Sequence, residues 1–312
     1  MAKNKPKKQA VKSDLHAYPV STASNDLVGA RPKLEQVREF STSWQLLRRS
    51  LQLLWAYKKV FIRLLLLYVV LSLVFVQSVA GTLNVGGLQS LLEQSKDRVS
   101  DALLTSQWLL TGGGATQNTL ASSYAVILIV VMSMAIIWAL RQAASGERFR
   151  MRDAFYRGMY PLVPAVLVAL WGLVMLLPMY LGFSIFNLAV NFGFADSPFA
   201  KALWGVPVFG LSVLSLWLVV PVVIALYIVT VPDVEPREAL QAGRDLVRYT
   251  RWLVLRKMLY LTAALLGFGV VCMIVCVLFF HLFAPWFLFL YGAVALLIIH
   301  AYLYSLYREL LA

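Results

Sequence analysis

Few side chains in this sequence have the type and spacing for covalent or metal chemistry. There are three histidines, His16, His281 and His300, and two cysteines, Cys272 and Cys276. The cysteines lie four apart inside one apolar run, so on a helix they share a face. They read as small buried apolar residues and give no disulfide framework. Three scattered histidines and two intramembrane thiols do not make a metal site. The stretch "TGGGAT", residues 111–116, lacks the Lys-Ser/Thr pair and the preceding strand of a phosphate loop. Neither a G-x-S-x-G elbow nor a helical H-E-x-x-H is present. No catalytic residue, cofactor-binding residue, metal ligand or cofactor is therefore assigned, and the chain is not expected to be an enzyme.

Ionisable groups deep in the apolar runs would mark a proton or cation relay. No Asp, Glu, Lys or Arg lies well inside a run; Arg63 is close to the end of the first, where it can snorkel. His281 falls near the end of its run beside Pro285 and Trp286 and reads as an interfacial residue. His300 is deeper, near Tyr302 and Tyr304, and reads as a hydrogen-bonded packing residue. Pro164, Pro178, Pro207 and Pro221, with Gly172, Gly182, Gly205 and Gly210, punctuate the third and fourth runs. They allow either structural kinks, common in membrane helices, or unwound helices that line a substrate path together with Asn187 and Asn191.

These residues have to be positioned by membrane helices. Of 312 residues, 60% are hydrophobic and 14% charged, with a mean hydropathy of +0.74, whereas soluble domains are about one quarter charged. Six apolar runs, at about 60–80, 121–140, 161–184, 205–231, 258–283 and 286–306, are each near the roughly 20 residues that a spanning helix needs. The fold class expected is an all-α integral membrane protein with six transmembrane helices, over residues 39–312. Residues 1–38, basic and rich in Ser, Pro and Asn, read as a disordered cytoplasmic tail with no apolar signal core behind the basic start.

The net charge of +13 sits beside the runs, which argues for membrane rather than nucleic acid. Twelve Lys and Arg precede the first run, from Lys3 to Lys59, against only Lys96 and Arg98 in the next connection. Arg141, Arg148, Arg150, Arg152 and Arg157 follow the second run, and a further basic segment follows the fourth. Basic connections stay inside, so both termini are expected in the cytoplasm of a multi-pass cell-membrane protein. In the long first outer loop, Leu88, Leu91, Leu92, Val99 and Leu103 recur at helical spacing and predict an amphipathic helix over about 88–110.

The segment "PDVEPREALQAGRDLVRYTRWLVLRKML", Pro232–Leu259, explains the interruption between the fourth and fifth runs. As a helix over about 236–250, it carries an apolar stripe that includes Ala239, Gly243 and Val247, flanked by arginines. That is the pattern of an interfacial helix in the inner leaflet. Arg237, Arg244, Arg248, Arg251, Arg256 and Lys257 are the candidate contacts to anionic lipid headgroups. The spacing recurs: Glu238, Ala239, Leu240, Gly243 and Val247 match Asp153, Ala154, Phe155, Gly158 and Leu162, and Gln45, Leu46, Leu47, Ser50 and Leu54. Three units are thus expected, each an interfacial helix followed by a transmembrane hairpin. Ser50, Gly158 and Gly243 are the small positions where helices approach closely.

With six runs, "SWQLLRRSLQLLWAYKKVF" before the first and "EALQAGRDLVRYTRWLVL" after the fourth, residues 40–306 resemble the membrane domain found in glycerophosphoryl diester phosphodiesterases. The resemblance implies a membrane module without the catalytic barrel, which needs about 250 soluble residues. The function expected is a non-catalytic envelope protein that organises lipid or partner proteins through its basic inner helices. The alternative is a small permease working through the third and fourth runs.

Overall fold

The computed structural model describes residues 41–75, 119–147, 149–194, 197–231, 234–279 and 284–311. By its contacts the chain divides into Met1–Phe40 and Ser41–Ala312, and all described residues belong to the second unit. The expected tail, the expected helix at 88–110 and His281 lie outside them, as do the ends of the first and fifth runs and the side chain of Cys276.

Among the described residues the protein is all-helical, without strands. In chain order the helices are α1 (Ser43–Ala56), α2 (Lys58–Phe75), α3 (Thr119–Ser145), α4 (Met151–Gly158), α5 (Leu162–Met175), α6 (Leu177–Asn191), α7 (Pro198–Ile228), α8 (Pro236–Val247), α9 (Arg251–Phe279) and α10 (Ala284–Leu311). Among the described residues, five stretches are long and apolar enough to cross a membrane: Ser123–Ser145, Leu162–Asn191, Pro198–Ile228, Arg251–Cys272 and Phe289–Leu311. The chain is a multi-pass membrane protein. The helix of the first run, α2, is not among them, since its 18 described residues include Lys58, Lys59 and Arg63.

Most long helices overrun the apolar runs that predicted them. α9 starts at Arg251 rather than near 258, and α10 continues past 306 to Leu311. The backbone hydrogen-bond ladder continues through Arg and Lys, whose long side chains reach sideways or back toward water. The third run behaves differently, because it is two helices that meet at Leu176. Pro178 has no N–H to give to the preceding turn, and the amide of Met179 donates to Ser215 Oγ on α7 (2.9 Å). Pro207 and Pro221 lie inside α7 without ending it.

The short helices have local reasons to start where they do. In α1 the Gln45 side chain accepts from the Thr42 amide (3.2 Å), and in α4 Asp153 accepts from the Arg150 amide (3.1 Å). α8 starts on Pro236, with Glu238 in its first turn favouring the positive end of the helix dipole. Gln45, Asp153 and Glu238, matched positions of the sequence repeat, are each the third residue of their helix.

The core lies toward the end of the bundle where the short helices sit. On α3 the buried residues run from Met132 to Ala143, on α7 from Ser215 to Ile228 and on α10 from Ala293 to Leu310. Away from that end, Val126, Ile127 and Ile129 of α3 and Leu203, Val206 and Phe209 of α7 are exposed, as befits surface that lipid covers.

Candidate functional site

Two arrangements have functional interest: the outward faces of the short helices, and a polar junction where the long helices meet.

The short helices are placed by their small residues. Gly243 of α8 lies against α7, where a Cβ would come 2.6 Å from the Pro221 carbonyl oxygen and 3.0 Å from Ala225 Cβ. Gly158 of α4 lies against α3, where a Cβ would meet Met134 O and Trp138 Cβ at 3.2 Å. Ser50 of α1 is fully buried, its hydroxyl donating to Leu47 O (2.7 Å). Each short helix packs on a long helix other than the one it leads into: α4 on α3, α8 on α7, and α1 on α10. α4 and α8 thus each rest on the long helix just before them in the chain, and α1 rests on the last described helix.

With that stripe buried, the other face must point away. Arg237, Arg244, Arg248 and Arg256 are exposed. Arg251 is half-buried, with its guanidinium over the ring of Trp217 (6.0 Å); Trp217 also meets Trp252 (6.5 Å). Cations sit on aromatic faces elsewhere on this end too, Lys58 over Trp55, Arg152 over Tyr156 and Arg248 over Tyr249.

Lys257 does not join this set, contrary to its reading as a headgroup contact. It is 4% exposed, and its ammonium pairs with Glu309 Oε2 (2.7 Å). Lys257 sits on the side of α9 that faces α10, so its stem runs into the protein. The other oxygen of Glu309 accepts from the amide and hydroxyl of Ser41, just before α1. One carboxylate therefore ties α10 to α9 and to the approach of α1.

The second arrangement joins α3, α7 and α10. One ring nitrogen of His300 (Nδ1) is 3.0 Å from Tyr227 Oη and the other (Nε2) is 2.9 Å from Ser133 Oγ, all three buried. A neutral imidazole has one donor and one acceptor nitrogen, so one hydroxyl donates a hydrogen bond to the ring and the other accepts one from it. Nearer the short-helix end, Arg141 donates to the carbonyl of Thr230 (2.8 Å) and to its hydroxyl. Tyr227 also stacks on Tyr307 (6.2 Å) and meets Tyr304 (6.5 Å). His300, Tyr227, Ser133, Arg141 and Thr230 are each hydrogen-bonded among these helices, which makes their loss costly and their geometry specific.

The sequence reads His300 as a hydrogen-bonded packing residue, as it is, without naming its partners, and marks Arg141 only as one charge among many. Their partners are a serine and a tyrosine in other helices and a threonine just past the end of α7, and nothing in local spacing links these. Among the described residues, no three His, Cys, Asp or Glu side chains gather as a metal site would require. No family model, no curated protein and no solved structure matches this chain.

Proposed function

We propose that the protein is a non-catalytic module of the cell membrane, with six spans in three repeated units and both termini in the cytoplasm. It organises anionic lipid, or proteins that share that lipid, at the inner leaflet. The observation that carries this reading is the exposure of Arg237, Arg244 and Arg248 opposite the buried Ala239, Gly243 and Val247. A helix held flat against the bundle keeps its cations at the depth where headgroup phosphates lie, where each adds about 1 kcal/mol of attraction to an anionic surface.

The test is lipid preference of the full-length protein in nanodiscs of mixed neutral and anionic composition. Enrichment of anionic lipid around the wild type should fall when Arg237, Arg244 and Arg248 are changed together to Gln, and added salt should shrink the difference. Equal enrichment in wild type and variant sinks the reading.

A second reading, a small permease, draws on the break at Leu176, where the Met179 amide is served by Ser215 of another helix. Broken helices at membrane depth are a recurring feature of substrate paths. Uptake or efflux by vesicles containing the purified protein, lost on Ser215→Val, would favour it.

A further inference from the structure

We infer that the protein holds three anionic lipid headgroups, one at each short helix, rather than a single patch at α8. This rests on the lipid reading above and adds number and place to it.

The same exposed pairing occurs in all three units. Trp55 (73% exposed) has Lys58 on its face at 5.0 Å. Tyr156 (73%) has Arg152 at 5.2 Å. Tyr249 (75%) has Arg248 at 5.7 Å. All three rings lie on a short helix or within two residues of its end, opposite or beside the buried small-residue stripe. Exposed Trp and Tyr settle at the level of the headgroups, with the ring among glycerol groups and the polar tip in water. A cation stacked on such a ring is held at that depth, where its remaining N–H donors face the phosphates. Anchored aromatic and adjacent cation together make a seat for one phosphate-bearing headgroup.

Local charge supports an anionic lipid in each case and sets an order. Residues 41–75 contain five cations, Arg48, Arg49, Lys58, Lys59 and Arg63, and no carboxylate. Around α4, Arg148, Arg150, Arg152 and Arg157 outnumber Glu147 and Asp153 by two. Around α8, Glu235, Glu238 and Asp245 partly cancel the arginines. The α1 seat is therefore the tightest and the α8 seat the weakest. The segment with the most conspicuous charge pattern is not the one with the strongest field.

Native mass spectrometry of the full-length protein, titrated with phosphatidylglycerol and separately with phosphatidylcholine, tests this. Three phosphatidylglycerol molecules should be retained under conditions that strip phosphatidylcholine. Trp55→Ala, Tyr156→Ala and Tyr249→Ala should each remove one, with at least a ten-fold weaker affinity for that lipid, and Trp55→Ala should remove the tightest. Phe199→Ala, exposed but far from the short helices, should leave three. The substituted rings are exposed, so thermal unfolding of each variant should match the wild type. Retention of one anionic lipid, lost only with Tyr249→Ala, overturns the three-seat inference and leaves the lipid reading intact. Equal retention of both lipids overturns the lipid reading itself.

Discussion

Replacing Gly243 with alanine separates two pictures of α8 by the sign of its effect. In a helix lying free on a membrane surface, Gly→Ala gains helix propensity, about 1 kcal/mol of stabilisation. In this structure the new methyl would sit 2.6 Å from the Pro221 carbonyl oxygen, 3.0 Å from Ala225 Cβ and 3.1 Å from the Ala225 amide nitrogen. Two of those three atoms are backbone of α7, so no side-chain rotation relieves them. Restoring ordinary contact at roughly 3.4 Å requires α8 to back away by about 0.8 Å, along a face that also seats Ala239 and Val247, both 0% exposed. Overpacking of that kind costs about 1–3 kcal/mol, and the backbone contact puts this site at the upper end. Net of propensity, the loss should be about 2 kcal/mol, or several degrees of melting temperature. Thermal unfolding of wild type, Gly243→Ala and Gly158→Ala in one detergent measures it. Gly158→Ala should cost less, since its closest approaches are 3.2 Å. An unchanged or raised melting temperature for Gly243→Ala would falsify the close seating of α8 on α7.

The remaining predictions concern the buried polar groups and the topology. His300→Leu should strand the hydroxyls of Tyr227 and Ser133, at about 1–3 kcal/mol for each buried group left unpaired; unfolding at wild-type temperature would show that the junction does not bind the three helices together. Glu309→Gln should cost about 3 kcal/mol by leaving the Lys257 ammonium buried without its countercharge. Adding Lys257→Met should recover much of that loss, and purely additive effects of the two changes would mean that the pair is not coupled. Reporter fusions at both ends should read cytoplasmic, and a cysteine placed at Ser95 should label from outside; a terminus found outside refutes the proposed orientation.

Helix type and the approximate place of five of the six expected membrane segments were legible because hydropathy and period are local properties of the chain. The matched spacing around Ser50, Gly158 and Gly243 was legible for the same reason, and all three lie buried in the bundle. What each packs against was not, because a small residue says that something comes close and not which helix it is. Lys257 was misread as a surface cation since its partner, Glu309, lies 52 residues away at the end of another helix. Prolines were equally ambiguous: Pro178 accompanies a break and Pro221 does not. The difference at Pro178 includes a hydroxyl from α7 that takes up the amide of the next residue, a tertiary contact that propensity cannot foresee.

The seating of α1 on α10 sets an order of events during biosynthesis. Ser41 and Glu309 are separated by 268 residues, so the first described helix acquires its partner only after every later described segment has been threaded into the bilayer. Until then Leu46, Ser50 and Leu54, buried in the finished protein, lack the helix that covers most of their face. α4 and α8 face no such delay, since α3 and α7 precede them. An insertion intermediate arrested before α10 should therefore expose α1 to proteases and to membrane chaperones while α4 and α8 are already protected.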